Sequence, residues 1–119
     1  MVGGSETLIQ GGIHLAKLDP AKPSEVGKLR PVILLTGQFM LDSAPPVVMI
    51  CPLSTQSYSV VSFLHVPIPA RELLKKPSFA LVEHCRSVAM QRIISPRLAM
   101  CEYSELDAIK HRVQRLLGF

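Results

Sequence analysis

The apolar residues of this 119-residue chain are concentrated in short runs that prolines, glycines and charged residues interrupt. The two longest runs, Val32–Leu35 and Val47–Leu53, are far shorter than the roughly 20 residues that a membrane span requires. Their β-branched and leucine-rich composition is typical of buried β-strands. With 48% hydrophobic residues, the chain can form one core but not two. We therefore predict a single compact domain that is mainly β.

Five segments have the composition and alternation of β-strands. The predicted strands cover residues 13–18, 30–36, 47–51, 60–66 and 79–85. We expect Asp19-Pro20 to end the first strand and Pro52 to end the third, because proline cannot donate to a strand ladder. The continuous apolar character of the second strand predicts that it is buried on both faces, at the centre of the sheet.

One segment near the C-terminus has a helical pattern, with Ser104 as its predicted cap and Asp107 three residues on. Apolar residues recur at helical spacing along it: Leu106, Ile109, Val113, Leu116 and Leu117. Because no helices alternate with the strands, we predict a small α+β fold, with a barrel-like antiparallel sheet covered on one side by this helix. We expect residues 1–11 to form a flexible lead-in and residues 12–119 to form the domain.

The charge of the chain favours a polyanionic partner. Thirteen basic and nine acidic residues give a formal net charge of +4. Between Arg71 and Arg97, six Lys and Arg residues outnumber two Glu residues, and cations of this kind gain affinity by releasing counterions from phosphates. A merely solvated basic face is the alternative explanation. With four Phe, two Tyr and no Trp, the chain cannot form a broad base-stacking surface.

The cysteines and histidines favour neither a disulfide framework nor a metal site. Cys51, Cys85 and Cys101 are odd in number and unclustered, which is typical of reduced thiols packed as small hydrophobes. The four histidines lack the close spacing of zinc ligands, so we expect no bound metal and no cofactor. The N-terminus does not resemble a secretory signal, and we expect a cytoplasmic location.

Three groups of polar residues lie where a predicted strand begins or ends. They are Glu25 with Arg30, Ser54 with Thr55, and Glu83 with His84 and Arg86. The guanidinium of Arg30 is permanently charged and fits phosphate oxygens, and Glu25 can accept a proton. Structural explanations remain open: Arg30 could pair with Glu25, and Glu83 with Arg86. Ser54 could equally be an ordinary turn hydroxyl.

Several motifs, in order and spacing, resemble the MazF/PemK family of toxin endoribonucleases over about residues 12–117. They are Leu18-Asp19-Pro20, Ser24-Glu25, Gly27, Arg30-Pro31-Val32, Pro52-Leu53-Ser54, Leu81 to Val88, and Arg92. The resemblance implies a compact, SH3-like or barrel-like sheet of the MazF/CcdB type. It further implies a homodimer that cleaves single-stranded RNA at specific sequences without metal, as the toxin of a type II toxin-antitoxin system with a MazE-like antitoxin.

The resemblance also implies residue roles, since Arg30 and Ser54 align with the family's catalytic arginine and threonine. Glu25 falls on an acidic loop position and is the first candidate for the catalytic base, with His84 second. The expected RNA-binding residues are Ser24, Lys28, Thr55, Lys75, Lys76, Glu83, His84 and Arg86. The chain departs from the family pattern at Gly12, His14, Ser54 and Ala89. Serine in place of threonine keeps the hydroxyl but loses the methyl that stiffens its rotamer, so we expect reduced activity.

Two other functions remain open at this point. A toxin of the same fold could poison DNA gyrase by protein contact, as CcdB does, and the aromatic C-terminus Leu117-Gly118-Phe119 is consistent with that alternative. A homologue that binds RNA or antitoxin without cutting is the other. Arg30 beside Ser54 distinguishes the ribonuclease, because a gyrase poison needs neither residue at a shared site.

Overall fold

The computed structural model describes residues 7–18 and 28–118. In chain order, its strands and α-helices are β1 (Gly12–Lys17), β2 (Leu29–Leu34), α1 (Gln38–Asp42), β3 (Val47–Ser54), β4 (Val66–Ile68), β5 (Ser78–Ala80), β6 (Arg86–Ala89), β7 (Ile93–Met100) and α2 (Tyr103–Leu117). Short 3-10 turns span Ser62–Leu64, Val82–His84 and Met90–Arg92. None of the helices in these described ranges is long and apolar enough to cross a membrane.

The strands form a curled antiparallel sheet in the order β4-β5-β3-β2-β1-β7. β6 pairs with the first half of β3, and β5 pairs with the last two residues of β3. The register between β1 and β7 shifts between Ile13 and Leu15, and irregularities of this kind bend a strand. The predicted fold class, a mainly β, barrel-like sheet with a C-terminal helix, is confirmed.

Apolar side chains cover both faces of the sheet. Ile33 of β2 and Cys51 of β3 belong to a first cluster, which α2 completes with the fully buried Ile109. Val32 and Ile50, one residue away on the same two strands, belong to a second cluster. Because successive side chains of a strand point to opposite faces, both central strands are continuous apolar runs, as the sequence predicts.

β3 runs through Pro52 and ends at Ser54, so the predicted stop at Pro52 is wrong. Pro52 pairs with Val32, and its carbonyl accepts the N–H of Leu81 at 2.9 Å. Because the N–H and C=O of one strand residue point to the same neighbour, the missing donor of Pro52 faces away from β2. The lack of an N–H at Pro52 therefore removes no hydrogen bond from the β2–β3 ladder.

Two other predicted strands are largely wrong. Residues 60–66 form a turn and the 3-10 turn Ser62–Leu64, and β4 begins only at Val66. In the segment 79–85, only the first two residues are in a strand, and the 3-10 turn Val82–His84 follows. The apolar residues of the 60–66 segment have the composition of a β-strand, although several of them are exposed to solvent. The sequence also fails to predict α1, β6 and β7.

α2 begins before the predicted cap. The cap residue is Glu102, whose side chain accepts the N–H of Glu105, while Glu105 Oε1 accepts the N–H of Glu102 at 2.8 Å. Ser104 therefore lies inside the first turn, and its prediction as the cap is wrong. Leu116 and Leu117 are exposed, so the apolar stripe ends earlier than predicted.

The predicted lead-in is also shorter than residues 1–11. Leu8 is buried in the second cluster, and the N–H of Gly11 donates to the carbonyl of Leu34 at 2.8 Å. Leu8 and Gly11 therefore pack with the domain, although the sequence predicts that the domain begins at residue 12. Residues 1–6 lie outside the described part of the chain.

One ion pair ties the segment after β4 to α2. Arg71 donates through Nη1 and Nη2 to the two carboxylate oxygens of Glu105 at 2.6 and 2.5 Å, and through Nη1 to the carbonyl of Met100 at 3.1 Å. The two side chains are only 18% and 10% exposed. The hydrogen bond that Arg71 donates to Glu105 raises the pKa of Arg71. Arg71, which we expected in a basic surface for a polyanion, is thus neutralised in a structural pair.

We expect Glu105→Ala to lower the free energy of unfolding by about 3 kcal/mol, because it leaves Arg71 without its carboxylate and removes a capping group. Urea denaturation followed by circular dichroism measures this change. Asp107→Ala, an exposed carboxylate on the same helix, is the matched control and should stay within about 0.5 kcal/mol of the parent protein. Equal stability of the two variants would contradict the role of the pair.

Candidate functional site

A shallow pocket of about 240 Å³ lies where β2 begins and β3 ends. Its lining residues are Lys28, Leu29, Arg30, Pro31, Leu53, Ser54, Thr55 and Ser78. Two residues predicted to be catalytic and two predicted to bind RNA are therefore neighbours in space. The pocket combines two cationic side chains with three hydroxyl groups, a combination that suits a phosphate group.

The register of the sheet brings Arg30 and Ser54 together. Val32 pairs with Pro52 at the end of the β2–β3 ladder, and Arg30 and Ser54 each lie two residues beyond that pair, at the same end of the sheet. Both residues line the pocket. Val32 and Ile50, at alternate positions on the same strands, lie in the second cluster, so Arg30 and Ser54 lie on that face of the sheet.

The hydroxyl of Ser54 is already oriented by the backbone. Its Oγ accepts the N–H of Gln56 at 3.1 Å, in a local turn that follows β3. A hydroxyl that accepts one hydrogen bond still has its own proton to donate. Ser54 can therefore still donate its hydroxyl proton to an oxygen of an anionic ligand.

Lys28 stands at the other side of the pocket in a left-handed backbone conformation, with φ of 61°. Non-glycine residues rarely adopt this region, and such strain occurs most often at functional sites. The carbonyl of Lys28 accepts the N–H of Leu18 at 2.8 Å, which fixes both ends of the intervening segment 19–27. Ser24 and Glu25 belong to that segment and lie outside the described residues, so their predicted roles stay predictions.

Glu83 belongs to a hydrogen-bonded chain that the sequence does not predict. Nε2 of the buried His65 lies 2.9 Å from both carboxylate oxygens of Glu83, and its Nδ1 lies 2.6 Å from Oγ of Ser57. Because a carboxylate only accepts, Nε2 of His65 donates to Glu83, and Nδ1 and the Ser57 hydroxyl share the second hydrogen bond. His84 Nε2 is 3.9 Å from the same carboxylate. Glu83 is thus engaged by His65, in place of the Arg86 partner considered above.

Arg86 lies on the same sheet face as the pocket. It pairs with Ile50, and Val88 at the next alternate position of β6 is in the second cluster. Its Nη1 is buried and has no hydrogen-bond partner among the described residues. A cationic donor of this kind is suited to an anionic ligand.

Lys75 and Lys76 are exposed and flank the pocket from the side of β5. Ser78, which lines the pocket, donates its hydroxyl to the carbonyl of Lys76 at 3.0 Å. The backbone of this lysine pair is thereby attached to the pocket wall. Cationic side chains at this position suit contacts to an extended polyanion beside the pocket.

A larger cavity of about 520 Å³ lies elsewhere, between the 3-10 turn Ser62–Leu64 and α2. Its cationic residues are Arg112 and Arg115, and Arg112 donates to the carbonyl of Phe63 at 3.1 Å. Among the residues that the structure describes, no serine or threonine lines it. We assign the candidate active site to the smaller pocket because that pocket holds both the guanidinium and the hydroxyl that phosphate chemistry requires.

The three cysteines are free thiols packed against the first cluster. The β3–β6 register, continued one residue beyond Ile50 and Arg86, sets Cys51 opposite Cys85. The hydrogen bond from Cys51 lowers the pKa of Cys85, against the opposing effects of burial and Glu83. That same bond and burial raise the pKa of Cys51, and burial raises the pKa of Cys101 to about 12.

We expect Cys85 to be the thiol that reacts first with a thiol-specific reagent at about pH 8, because thiolate is the reactive form and a lowered pKa increases its fraction. Titration of the native protein should give one fast equivalent, and Cys85→Ser should abolish it. Cys101→Ser is the matched control and should leave the fast equivalent unchanged. A fast phase that survives in Cys85→Ser would contradict the assigned pKa order.

Comparisons with known proteins agree with this geometry. Residues 9–117 match the family described as PemK-like, MazF-like toxin of type II toxin-antitoxin system. MazF from Deinococcus radiodurans is similar in structure, with a TM-score of 0.78, 20% identity, and coverage of 97% of this chain and 100% of that one. No curated protein sequence matches the chain.

Two similar structures are complexes. A MazE-MazF complex from the same bacterium gives a TM-score of 0.73 at 20% identity, covering 97% of this chain and 99% of that one. An endoribonuclease in complex with its cognate antitoxin, from a mycobacterial species, gives 0.71 at 11% identity, covering 94% and 96%. The match over residues 9–117 takes in nearly the whole chain. This protein therefore belongs to the PemK-like, MazF-like family of type II toxin-antitoxin toxins.

Proposed function

We propose that this protein is an endoribonuclease that cleaves single-stranded mRNA at specific sequences and without metal. The observation that supports this most is the shared pocket of Arg30 and Ser54 at the β2–β3 junction. One similar structure is described as an endoribonuclease, which agrees with this activity. A toxin that acts by protein contact alone, such as a gyrase poison of the CcdB type, needs no guanidinium beside a hydroxyl.

In the proposed mechanism, the 2′-hydroxyl of the RNA attacks the adjacent phosphorus in line. The new O2′–P bond forms as the P–O5′ bond breaks. The 2′-hydroxyl gives its proton to a base, and the departing 5′-oxygen takes a proton from solvent water, which leaves a 2′,3′-cyclic phosphate and a 5′-hydroxyl end. Arg30 neutralises the charge that develops on the non-bridging oxygens, and Ser54 donates its hydroxyl proton to one of them. Loss of a single preorganised donor of this kind typically costs about 3 kcal/mol of transition-state stabilisation.

The reaction also needs a base for the 2′-hydroxyl. Glu25 is the first candidate, because its carboxylate can accept a proton and the family resemblance sets it at an acidic position. His84 is the second candidate. It is half-buried and lies on the 3-10 turn that follows β5.

The remaining predicted residues bind the RNA strand in this proposal. Phosphate contacts come from Lys28 and Thr55, which line the pocket, and from Lys75, Lys76 and Arg86. Ser24, which lies outside the described residues, is proposed for the same role. Glu83 does not contact the RNA directly in this proposal, because both of its carboxylate oxygens lie 2.9 Å from Nε2 of His65. Phosphate contacts of this kind position the strand and carry no direct sequence information.

We also propose that the protein is a cytoplasmic homodimer controlled by a MazE-like antitoxin. Val47 and Met49 are exposed on the face of β3 that lies opposite the second cluster, and an uncovered apolar face favours a second copy. Similar structures include complexes of MazE with MazF. An acidic, partly apolar antitoxin tail that covers the Arg30 pocket would compete with RNA for the same cations.

We expect purified protein to cleave single-stranded RNA in EDTA and to leave 5′-hydroxyl ends, with Arg30→Ala slower by about 100-fold. Mapping of the RNA ends and initial rates on a labelled oligonucleotide provide the measurement. Arg115→Ala, an exposed arginine on α2, is the matched control and should cut at the parent rate.

Undiminished cutting by Arg30→Ala would place the active site elsewhere. Intact RNA together with gyrase-dependent DNA breaks would reject the ribonuclease in favour of the CcdB-like alternative.

A further inference from the structure

The loop between β3 and β4, residues 55–65, exposes a large aromatic side chain close to the pocket. Tyr58 is 88% exposed and Val60 is 96% exposed. Exposed apolar residues that cluster next to a polar pocket often mark a binding surface. The mechanism proposed above makes no use of either residue.

This loop is held in place on both sides of Tyr58. On one side, the hydroxyl of Ser57 is 2.6 Å from Nδ1 of the buried His65, which is itself bound to Glu83. On the other side, Oγ of Ser59 accepts a backbone N–H two residues on, at 3.1 Å. Tyr58 is thus presented to solvent by a fixed backbone, which lowers the entropy lost when its ring meets a ligand.

The ends of the loop keep Tyr58 near the reacting phosphate. Ser54 pairs with Phe79 and Val66 pairs with Ala80, so the loop crosses β5 and its ends are about 10 Å apart. Tyr58 follows Ser54 by four residues, so their Cα atoms are at most about 14 Å apart. Since stacked bases are about 3.4 Å apart along a strand, this is the span of about four nucleotides.

We propose that Tyr58 stacks on an unpaired base of the RNA, within a few nucleotides of the phosphate that Arg30 and Ser54 hold. This inference rests on the proposed ribonuclease function and adds a base contact to it. The lysines and arginines of the site contact phosphates, which are alike in every sequence. An aromatic ring contributes affinity through the π-face of a base, and its phenol can bond a base edge.

Binding of a non-cleavable probe tests this contact. The probe is a mixed-sequence pool of single-stranded 2′-O-methyl RNA, which lacks the attacking hydroxyl. We expect Tyr58→Ala to weaken binding by about 10- to 100-fold and Tyr58→Phe to retain most of the affinity, because phenylalanine also stacks. Tyr103→Ala is the matched control, since Tyr103 is 84% exposed but lies at the start of α2.

Tyrosine fluorescence gives a second readout that a general loss of stability would not imitate. The chain has two tyrosines and no tryptophan, so in Tyr103→Phe the tyrosine signal comes from Tyr58 alone. We expect the RNA pool to quench this signal, because stacking on a base quenches a phenol. In the opposite variant, Tyr58→Phe, the signal of Tyr103 should not change.

The outcomes separate this inference from the function on which it rests. If Arg30→Ala weakens binding while Tyr58→Ala binds like Tyr103→Ala and shows no quenching in the companion variant, stacking is rejected and the ribonuclease site stands. If the parent protein does not bind the pool, or if Arg30→Ala binds it as well as the parent, both the site and the stacking contact are rejected.

Discussion

The antiparallel register between β2 and β3 is the constraint on which the rest of the structure depends. Ile33 lies opposite Cys51, and their side chains belong to the first cluster, while the adjacent residues of both strands belong to the second. A slip of one residue would exchange the two clusters and is therefore strongly disfavoured. The same register brings the start of β2 beside the end of β3, so apolar packing on both faces of the sheet sets Arg30 and Ser54 at one pocket.

The distribution of charge in the structure differs from its distribution in the sequence. Six cations between Arg71 and Arg97 predicted a basic surface, yet Arg71 is neutralised by Glu105 and Arg92 donates to a backbone carbonyl. Conversely, Lys28 and Arg30 line the pocket although they lie outside that stretch. An excess counted along the chain therefore does not locate a basic surface, because folding sorts cations into those held in structural pairs and those that line a pocket.

The sequence predicts the parts of the fold and site that local pattern determines. Because β2 and β3 are buried on both faces, each is a continuous apolar run in the sequence. Arg30 and Ser54 lie at the ends of these runs and are predicted from that position. The pattern fails where exposed residues such as Val60 imitate a strand, and where β7 includes Pro96 and Arg97 within its length. Ser24 and Glu25 remain predictions, as does the catalytic role of every site residue.

The Ser57–His65–Glu83 chain could not be predicted because it joins residues 8 and 18 positions apart that share no periodic pattern. Two different kinds of interaction hold the residues around the pocket in place. Sheet packing holds Arg30 and Ser54, whereas a polar network holds the loop that carries Tyr58. Since neither support depends on the side chain at position 58, substitutions there can alter base contacts while the phosphate-binding pair keeps its geometry. In the function proposed here, recognition of a base and chemistry at the phosphate are therefore separable properties of one site.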